Sequence, residues 1–83
     1  MTIQVRYFAS LREALGASET VAFEPGLTLS QLRNQLIARG GAHAQVLARG
    51  RALRCALNQV MADESTLVPD SAEVAFFPPV TGG

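Results

Sequence analysis

The sequence has no lysine and no tryptophan, and it has only one cysteine and one histidine. The lone Cys55 excludes an internal disulfide, and it cannot supply the thiolates of a zinc or iron–sulfur site. His43 has no metal-ligating partner at a suitable spacing, and no serine lies in a nucleophile-elbow motif. Nothing in these residues indicates an active site of the chain's own. Cys55 is expected in the core and His43 in solvent.

Long apolar runs and an excess of charge are also missing. No stretch approaches membrane-spanning length, and the first residues do not form a signal peptide. We therefore expect no membrane contact and a cytoplasmic location. Acidic and basic residues number seven each, so the net charge is zero. This balance excludes the basic field of nucleic-acid-binding proteins, and no nucleic-acid partner is expected.

All seven basic residues are arginines. Drift in composition is the simpler explanation. The functional alternative is that an activated carboxyl terminus would find no lysine amine in its own chain.

What is present predicts one small α+β domain. Alternating apolar and polar residues predict strands at 2–8, 19–24, 53–57, 60–61 and 72–77. Capping-box patterns at Ser10 and Thr28 predict a short helix that stops at Gly16 and a longer helix that ends at Gly40. A further short helix is expected at 42–47. One long helix across a small mixed sheet predicts an α+β roll in which the first and last strands are central and adjacent.

The loops carry three further predictions. Asn58 and Gln59 form a tight turn between two strands. In the loop 63–71, Leu67 and Val68 tuck into the core. The segment 49–51, Arg-Gly-Arg, is most simply a solvated turn; the alternative is a contact with an acidic partner.

The last six residues, PPVTGG at 78–83, form an unusual ending. The two prolines end the last strand and keep the segment extended. Gly82 and Gly83 then remove side chains, so the backbone can pass a narrow channel into another active site. The alternative is a frayed terminus, but frayed ends are usually polar. We predict a single domain over 1–77 and an extended functional tail over 78–83.

Two aromatic residues fall on the polar face of their strands. Phe8 and Phe77 both lie opposite the core residues of their strands. If the first and last strands are neighbours, we expect the two rings to lie close together, and Met61 is placed to join them. Exposed aromatic and methionine residues are typical of binding surfaces. The alternative is a strand shifted by one residue, which would bury both rings.

Four stretches of the sequence resemble a known family. VRYFA at 5–9, LRE at 11–13, NQ at 58–59 and DSAEVAFFPPVTGG at 70–83 closely resemble the small subunits of molybdopterin synthase, the MoaD-type sulfur carriers. The likeness spans essentially the whole chain but is weak over 38–54, so no role is transferred there. It implies a ubiquitin-like β-grasp fold.

The resemblance also implies a task for the tail. In the family, the terminal glycine, here Gly83 after Gly82, is adenylated by an ATP-dependent activating enzyme. A sulfur donor protein then converts it to a thiocarboxylate. The tail enters the large subunit of the synthase, in a heterotetramer with two copies of each chain, and delivers sulfur to cyclic pyranopterin monophosphate. No permanently bound cofactor is implied; ATP belongs to the activating enzyme, and the sulfur is covalent at Gly83.

Matching the family pattern residue by residue gives a partner-binding set, in which Met61 replaces a leucine that is common there. The set comprises Phe8, Met61, Phe77, Pro78, Pro79, Val80 and Thr81. Two alternatives stay open. One is a sulfur carrier of another thiocarboxylate pathway, of the thiamine thiazole type. The other is a non-enzymatic β-grasp interaction module or modifier that bears no sulfur.

Overall fold

The computed structural model describes residues 1–79. Within this range the chain forms five strands and three helices. In order they are β1 (Thr2–Tyr7), α1 (Ser10–Leu15), β2 (Ser18–Ala22), α2 (Leu29–Ile37), α3 (Gly41–Val46), β3 (Arg54–Leu57), β4 (Val60–Ala62) and β5 (Glu73–Phe77). No helix in this range is long and apolar enough to cross a bilayer.

The five strands form one mixed sheet in the order β2-β1-β5-β3-β4. β1 pairs parallel with β5, and the other neighbouring strands are antiparallel. The prediction that the first and last strands are central and adjacent is therefore confirmed. Because β1 and β5 run in the same direction, the residues that follow both strands emerge at one edge of the sheet.

The core lies between the sheet and α2. Ile3, Val5 and Tyr7 of β1 face it, and the register sets Val5 beside Val74 and Tyr7 beside Phe76. Leucines at the spacing of one helical face complete the layer from α2; they are Leu29, Leu32 and Leu36. Full burial of each such side chain stabilises the fold by about 1.5–3 kcal/mol. The predicted architecture, one long helix packed by its apolar face across a small mixed sheet, is therefore confirmed.

The capping box at the start of α2 is confirmed. Thr28 Oγ1 accepts a hydrogen bond from the Gln31 backbone N–H at 3.1 Å, and Gln31 Oε1 accepts one from the Thr28 N–H at 3.0 Å. A cap of this kind stabilises a helix by about 1 kcal/mol. α2 ends at Ile37, and Gly40, with a φ of 74°, turns the chain into α3.

The capping box predicted at Ser10 is wrong. Ser10 is already helical, and the N-cap position is Ala9, with a φ of 54° and no side-chain cap. The reason is that the Phe8 N–H still bonds to the Phe76 carbonyl at 3.3 Å. Only Ala9 is left to turn the chain from strand to helix, so Ser10 has no room to cap.

The predictions for the loops are confirmed for the tight turn and for Val68, and wrong for Leu67. The Asn58–Gln59 turn is confirmed, with positive φ angles of 49° and 70°, as a two-residue hairpin turn of type I′ requires. Val68 is buried as predicted, but Leu67 is 61% exposed. Leu67 forms a bridge with Thr28, and adjacent residues of an extended segment point to opposite sides. Only one of the two can enter the core.

Candidate functional site

Strand pairing brings Phe8 and Phe77 together. Tyr7 and Phe76 are neighbours in the parallel pair and point into the core. The next residue of each strand therefore lies on the opposite face. The two rings meet edge to face, with centroids 6.4 Å apart and planes at 87°. The expected closeness is confirmed; the role of this pair in binding stays a prediction.

The aromatic pair is accessible and bordered by charge. Phe8 is 40% exposed, and Phe77 is half-buried. The Arg6 guanidinium carbon lies 5.7 Å from the centroid of the Phe8 ring, within the range of a cation–π contact. Arg6 also pairs with Glu73 at 3.5 Å. A partner can therefore cover the rings while it meets a charged border.

Met61 shares this face at a distance from the rings. It is 54% exposed and pairs with Ala56, which pairs with Ala75. Strands are spaced about 4.8 Å apart, so Met61 lies about 10 Å from β5. The two alanines form a shallow floor between Met61 and the aromatic pair. We call this surface the outer face; its residues are Arg6, Phe8, Arg54, Ala56, Met61, Glu73, Ala75 and Phe77.

The start of the tail lies at the end of the outer face. Pro78 and Pro79 directly follow β5 and are half-buried. Pro78 borders a groove of about 370 Å³ that Leu11, Arg51 and Leu53 also line. The predicted site residues Val80, Thr81, Gly82 and Gly83 lie outside the described residues. Sequence reasoning did not single out Arg6, Arg54 and the alanine floor as site residues, although the alternation of β1, β3 and β5 already placed them on this face.

Cys55 is a core residue, as predicted. It is 5% exposed, and its Sγ donates a hydrogen bond to the Ala62 carbonyl at 3.3 Å. Burial raises the pKa of its thiol. A thiol with a raised pKa forms little thiolate, so the geometry gives Cys55 no nucleophilic role.

His43 is not the solvated residue that we predicted. Its Nε2 lies 2.8 Å from Glu19 Oε2, and its ring packs edge-on against Tyr7, with centroids 6.4 Å apart. Tyr7 also donates to Glu19 at 2.6 Å, and Arg39 pairs with the other carboxylate oxygen. The prediction failed because the His43 side chain on α3 reaches Tyr7 of β1 and Glu19 of β2, contacts that the local sequence does not encode.

Glu19 is the centre of this cluster. Partial burial opposes its ionisation, but the hydrogen bonds from Tyr7, His43 and Arg39 outweigh burial and lower the pKa of Glu19 to about 2. Burial and the hydrogen bond to Glu19 raise the pKa of Tyr7. The cluster thus ties α3 and the end of α2 to the sheet, away from the outer face.

Arg33 is the functional-looking residue that sequence reasoning missed. It is 3% exposed although it is charged. Its Nε donates to the Leu47 carbonyl at 2.8 Å, and its Nη2 donates to the Ala48 and Arg51 carbonyls at 2.6 and 3.1 Å. Its Nη1 pairs with Glu64 at 2.8 Å. A lone arginine on the apolar stripe of α2, four residues after Leu29, was the available signal.

The solvated turn predicted at 49–51 is confirmed, since its three residues are exposed, and Arg49 also contacts α2. Arg49 binds the Asn34 side chain at 3.0 Å and the Ser30 carbonyl at 2.7 Å, and it pairs with Glu64. The turn is held to α2 because the loop carbonyls find their donors on that helix. Within residues 1–79 no cluster of histidine, cysteine, aspartate or glutamate could hold a metal ion.

The decisive comparison covers nearly the whole chain. The ThiS family model matches residues 5–83. The chain belongs to the ThiS family. Its relatives include the molybdopterin synthase sulfur carrier subunit of Escherichia coli, 38% identical over 98% of this chain and 99% of that protein. The subunit of the same name from Haemophilus influenzae is 35% identical over the same shares.

Solved structures place the ThiS-family chain in the ubiquitin-like β-grasp class, as expected. The complex of subunits 1 and 2 of the molybdopterin-converting factor from Helicobacter pylori contains a chain that is 25% identical. It matches with a TM-score of 0.69, and all of both chains is covered. The small archaeal modifier protein 1 of Haloferax volcanii is 22% identical and covers 95% of this chain and 98% of its own. Its TM-score of 0.75 shows a shared fold.

Proposed function

We propose that this chain is the sulfur-carrier small subunit of molybdopterin synthase. The observation that carries the proposal is full-length likeness to curated sulfur carrier subunits of that synthase. The outer face supports it, because the exposed Phe8–Phe77 pair stands directly before the tail. The chain would supply a docking surface, an extended spacer and a reactive end at Gly83.

The chemistry requires activation of the Gly83 carboxylate. A carboxylate is a poor acylating group because oxide would have to leave. An oxygen of the carboxylate attacks the α-phosphorus of ATP and displaces pyrophosphate, which leaves an acyl-adenylate. Hydrosulfide supplied by the sulfur donor then attacks the Gly83 carbonyl carbon; a C–S bond forms, the C–O bond to AMP breaks, AMP leaves and the S–H proton is lost, which leaves the thiocarboxylate. The thiocarboxylate is the form that donates sulfur to cyclic pyranopterin monophosphate.

The acids, bases and metals of this scheme belong to other proteins. The chain is a stoichiometric carrier in a sulfurtransferase, with no permanently bound cofactor; ATP is consumed by the activating enzyme. The partners are the large subunit, in a heterotetramer with two of each chain, the activating enzyme and a sulfur donor protein. The large-subunit partner has the most direct support, since a similar chain forms a complex of subunits 1 and 2 in Helicobacter pylori. We place the whole cycle in the cytoplasm.

A carrier for thiazole synthesis is the second candidate, favoured by the name of the matching family model. The two carriers share their tail chemistry and differ in the enzyme that accepts the sulfur. The segment FFPPVT at 76–81 favours the molybdopterin pathway, because thiazole carriers tend to lack it. A modifier would instead form amides with lysine side chains of other proteins and carry no sulfur.

Reconstitution tests these alternatives. The chain is loaded with sulfur by its activating enzyme, ATP and a sulfur source, and then offered separately to the large synthase subunit with the pyranopterin and to thiazole synthase. We expect dithiolene formation with the first and no product with the second. Product only with thiazole synthase would establish the second candidate. Amide adducts without sulfur loading would establish the modifier.

A further inference from the structure

Three of the seven arginines surround the point where the tail leaves the domain. Arg54 is the strand partner of Phe77, and Arg6 is the strand partner of Ala75, which lies two residues before Phe77 on β5. Arg51 lines the groove that Pro78 borders. All three are exposed. Any nucleophilic side chain at these positions would stand beside the start of residues 78–83.

Packing explains arginine at some positions but not at Arg6 and Arg54. Arg51 donates its Nε–H to the Gln45 carbonyl at 2.9 Å. Arg33 uses its guanidinium on acceptors in several directions, a geometry that a lysine ammonium cannot reproduce. Arg6 has one polar side-chain partner within residues 1–79, an ion pair that a lysine would also make. Among these residues the Arg54 side chain has no hydrogen bond or ion pair. The fold therefore accepts lysine at Arg6 and Arg54, yet lysine is absent.

The one aliphatic amine of the sequence lies at the opposite end of β1. The Met1 amino group pairs with Asp70 and precedes β1, whereas the tail follows β5, which runs parallel to β1. The six residues of β1 span about 20 Å. The four residues after Pro79 extend at most about 14 Å. Gly83 therefore cannot return along the sheet to Met1 without unpairing β5.

We propose that arginine in place of lysine around the tail keeps an activated Gly83 from acylating its own chain. This inference rests on the proposed activation of Gly83. A nearby lysine amine would attack the carbonyl carbon; an N–C bond would form, the C–O bond to AMP would break, AMP would leave and the amine would lose a proton. The product is a dead-end amide. A guanidinium stays protonated and does not react in this way.

The same composition has a second consequence. No side chain offers an amine to the activated end of another copy, so copies of this chain cannot be joined through side-chain amides.

The test uses the full chain with Gly83 as a small-thiol thioester, prepared by intein cleavage. The thioester stands in for the acyl-adenylate and needs no activating enzyme, so the result is independent of the proposed function. Wild type, Arg54→Lys and Gln35→Lys are incubated at dilute concentration, and intact mass is followed. Gln35 is an exposed position on α2, in the opposite layer from the tail, and serves as the matched lysine control.

Self-acylation gives a product lighter than the hydrolysed acid by one water. We expect the wild type and Gln35→Lys to give almost entirely the hydrolysed acid. Arg54→Lys should form the internal amide at a rate roughly tenfold or more above the rate of amide formation in Gln35→Lys. Arg6→Lys repeats the test if Arg54→Lys folds poorly. Equal amide formation in Arg54→Lys, Arg6→Lys and Gln35→Lys, or cyclisation of the wild type through Met1, would overturn the proposal and leave drift in composition as the explanation.

Discussion

The ring of Phe8 meets the ring of Phe77 edge to face, with 6.4 Å between centroids, at the point where β1 and β5 end. Because the strands are parallel and adjacent, the pair marks the base of the tail. An exposed aromatic pair at this place gives a partner a fixed apolar surface next to the segment that it must accept. This relationship underlies the first prediction.

Phe8→Ala should weaken binding to the large synthase subunit by roughly tenfold to a hundredfold, since aromatic side chains often dominate interfaces. The variant should melt close to the wild type because Phe8 is 40% exposed. Titration calorimetry measures the affinity. Leu67→Ala, at an exposed apolar residue away from the outer face, is the control and should bind as the wild type does. Unchanged affinity in Phe8→Ala would exclude the aromatic pair from the interface.

Arg33→Leu should destabilise the fold by about 3–5 kcal/mol, because the charge of Glu64 and three loop carbonyls lose their buried donor. Urea denaturation measures the loss. Arg33→Lys should fall between the wild type and Arg33→Leu, since an ammonium cannot reach all four acceptors. Arg12→Leu, at an exposed position, should change stability by less than about 0.5 kcal/mol. If Arg33→Leu lowers the free energy of unfolding no more than Arg12→Leu does, the Arg33 network contributes little to stability.

The Glu19 cluster predicts a pH dependence of stability. The pKa of Glu19 is lowered from 4.5 to about 2 in the folded chain, so its contribution is complete above pH 4.5 and is lost as the pH falls from 4.5 towards 2. Glu19→Gln should remove this part of the acid sensitivity. Urea midpoints measured between neutral and acid pH should therefore converge for the two proteins at low pH. A constant difference across that range would contradict the role of Glu19.

Cys55→Ser should retain sulfur transfer in a protein that still folds. The thiol is buried and donates to the Ala62 carbonyl, a bond that a serine hydroxyl can also make. Single-turnover sulfur transfer to the large subunit provides the measurement, with circular dichroism as the check on folding. If a correctly folded variant cannot carry sulfur, Cys55 takes part in the chemistry after all.

Local patterns predicted the outer face and the main helix. Strand alternation placed Phe8 and Phe77 opposite the core, and the Thr28 motif marked the start of α2, because both depend on residues a few positions apart. The failures have a common cause. Arg33 contacts loop carbonyls 14 or more positions away, and His43 meets Glu19 across 24 positions. Such partners are set by tertiary packing. At Ser10, sheet pairing of Phe8 overrode a local capping signal.

The central claim is that Gly83 carries sulfur. Intact-mass analysis of the chain, purified from its native cell with the activating enzyme and sulfur source present, tests it most directly. We predict a species heavier than the carboxylate form by one oxygen-to-sulfur exchange, and its absence from a variant that lacks Gly83 but melts as the wild type does. A native chain found only as the carboxylate, or sulfur retained in the variant without Gly83, would contradict the account.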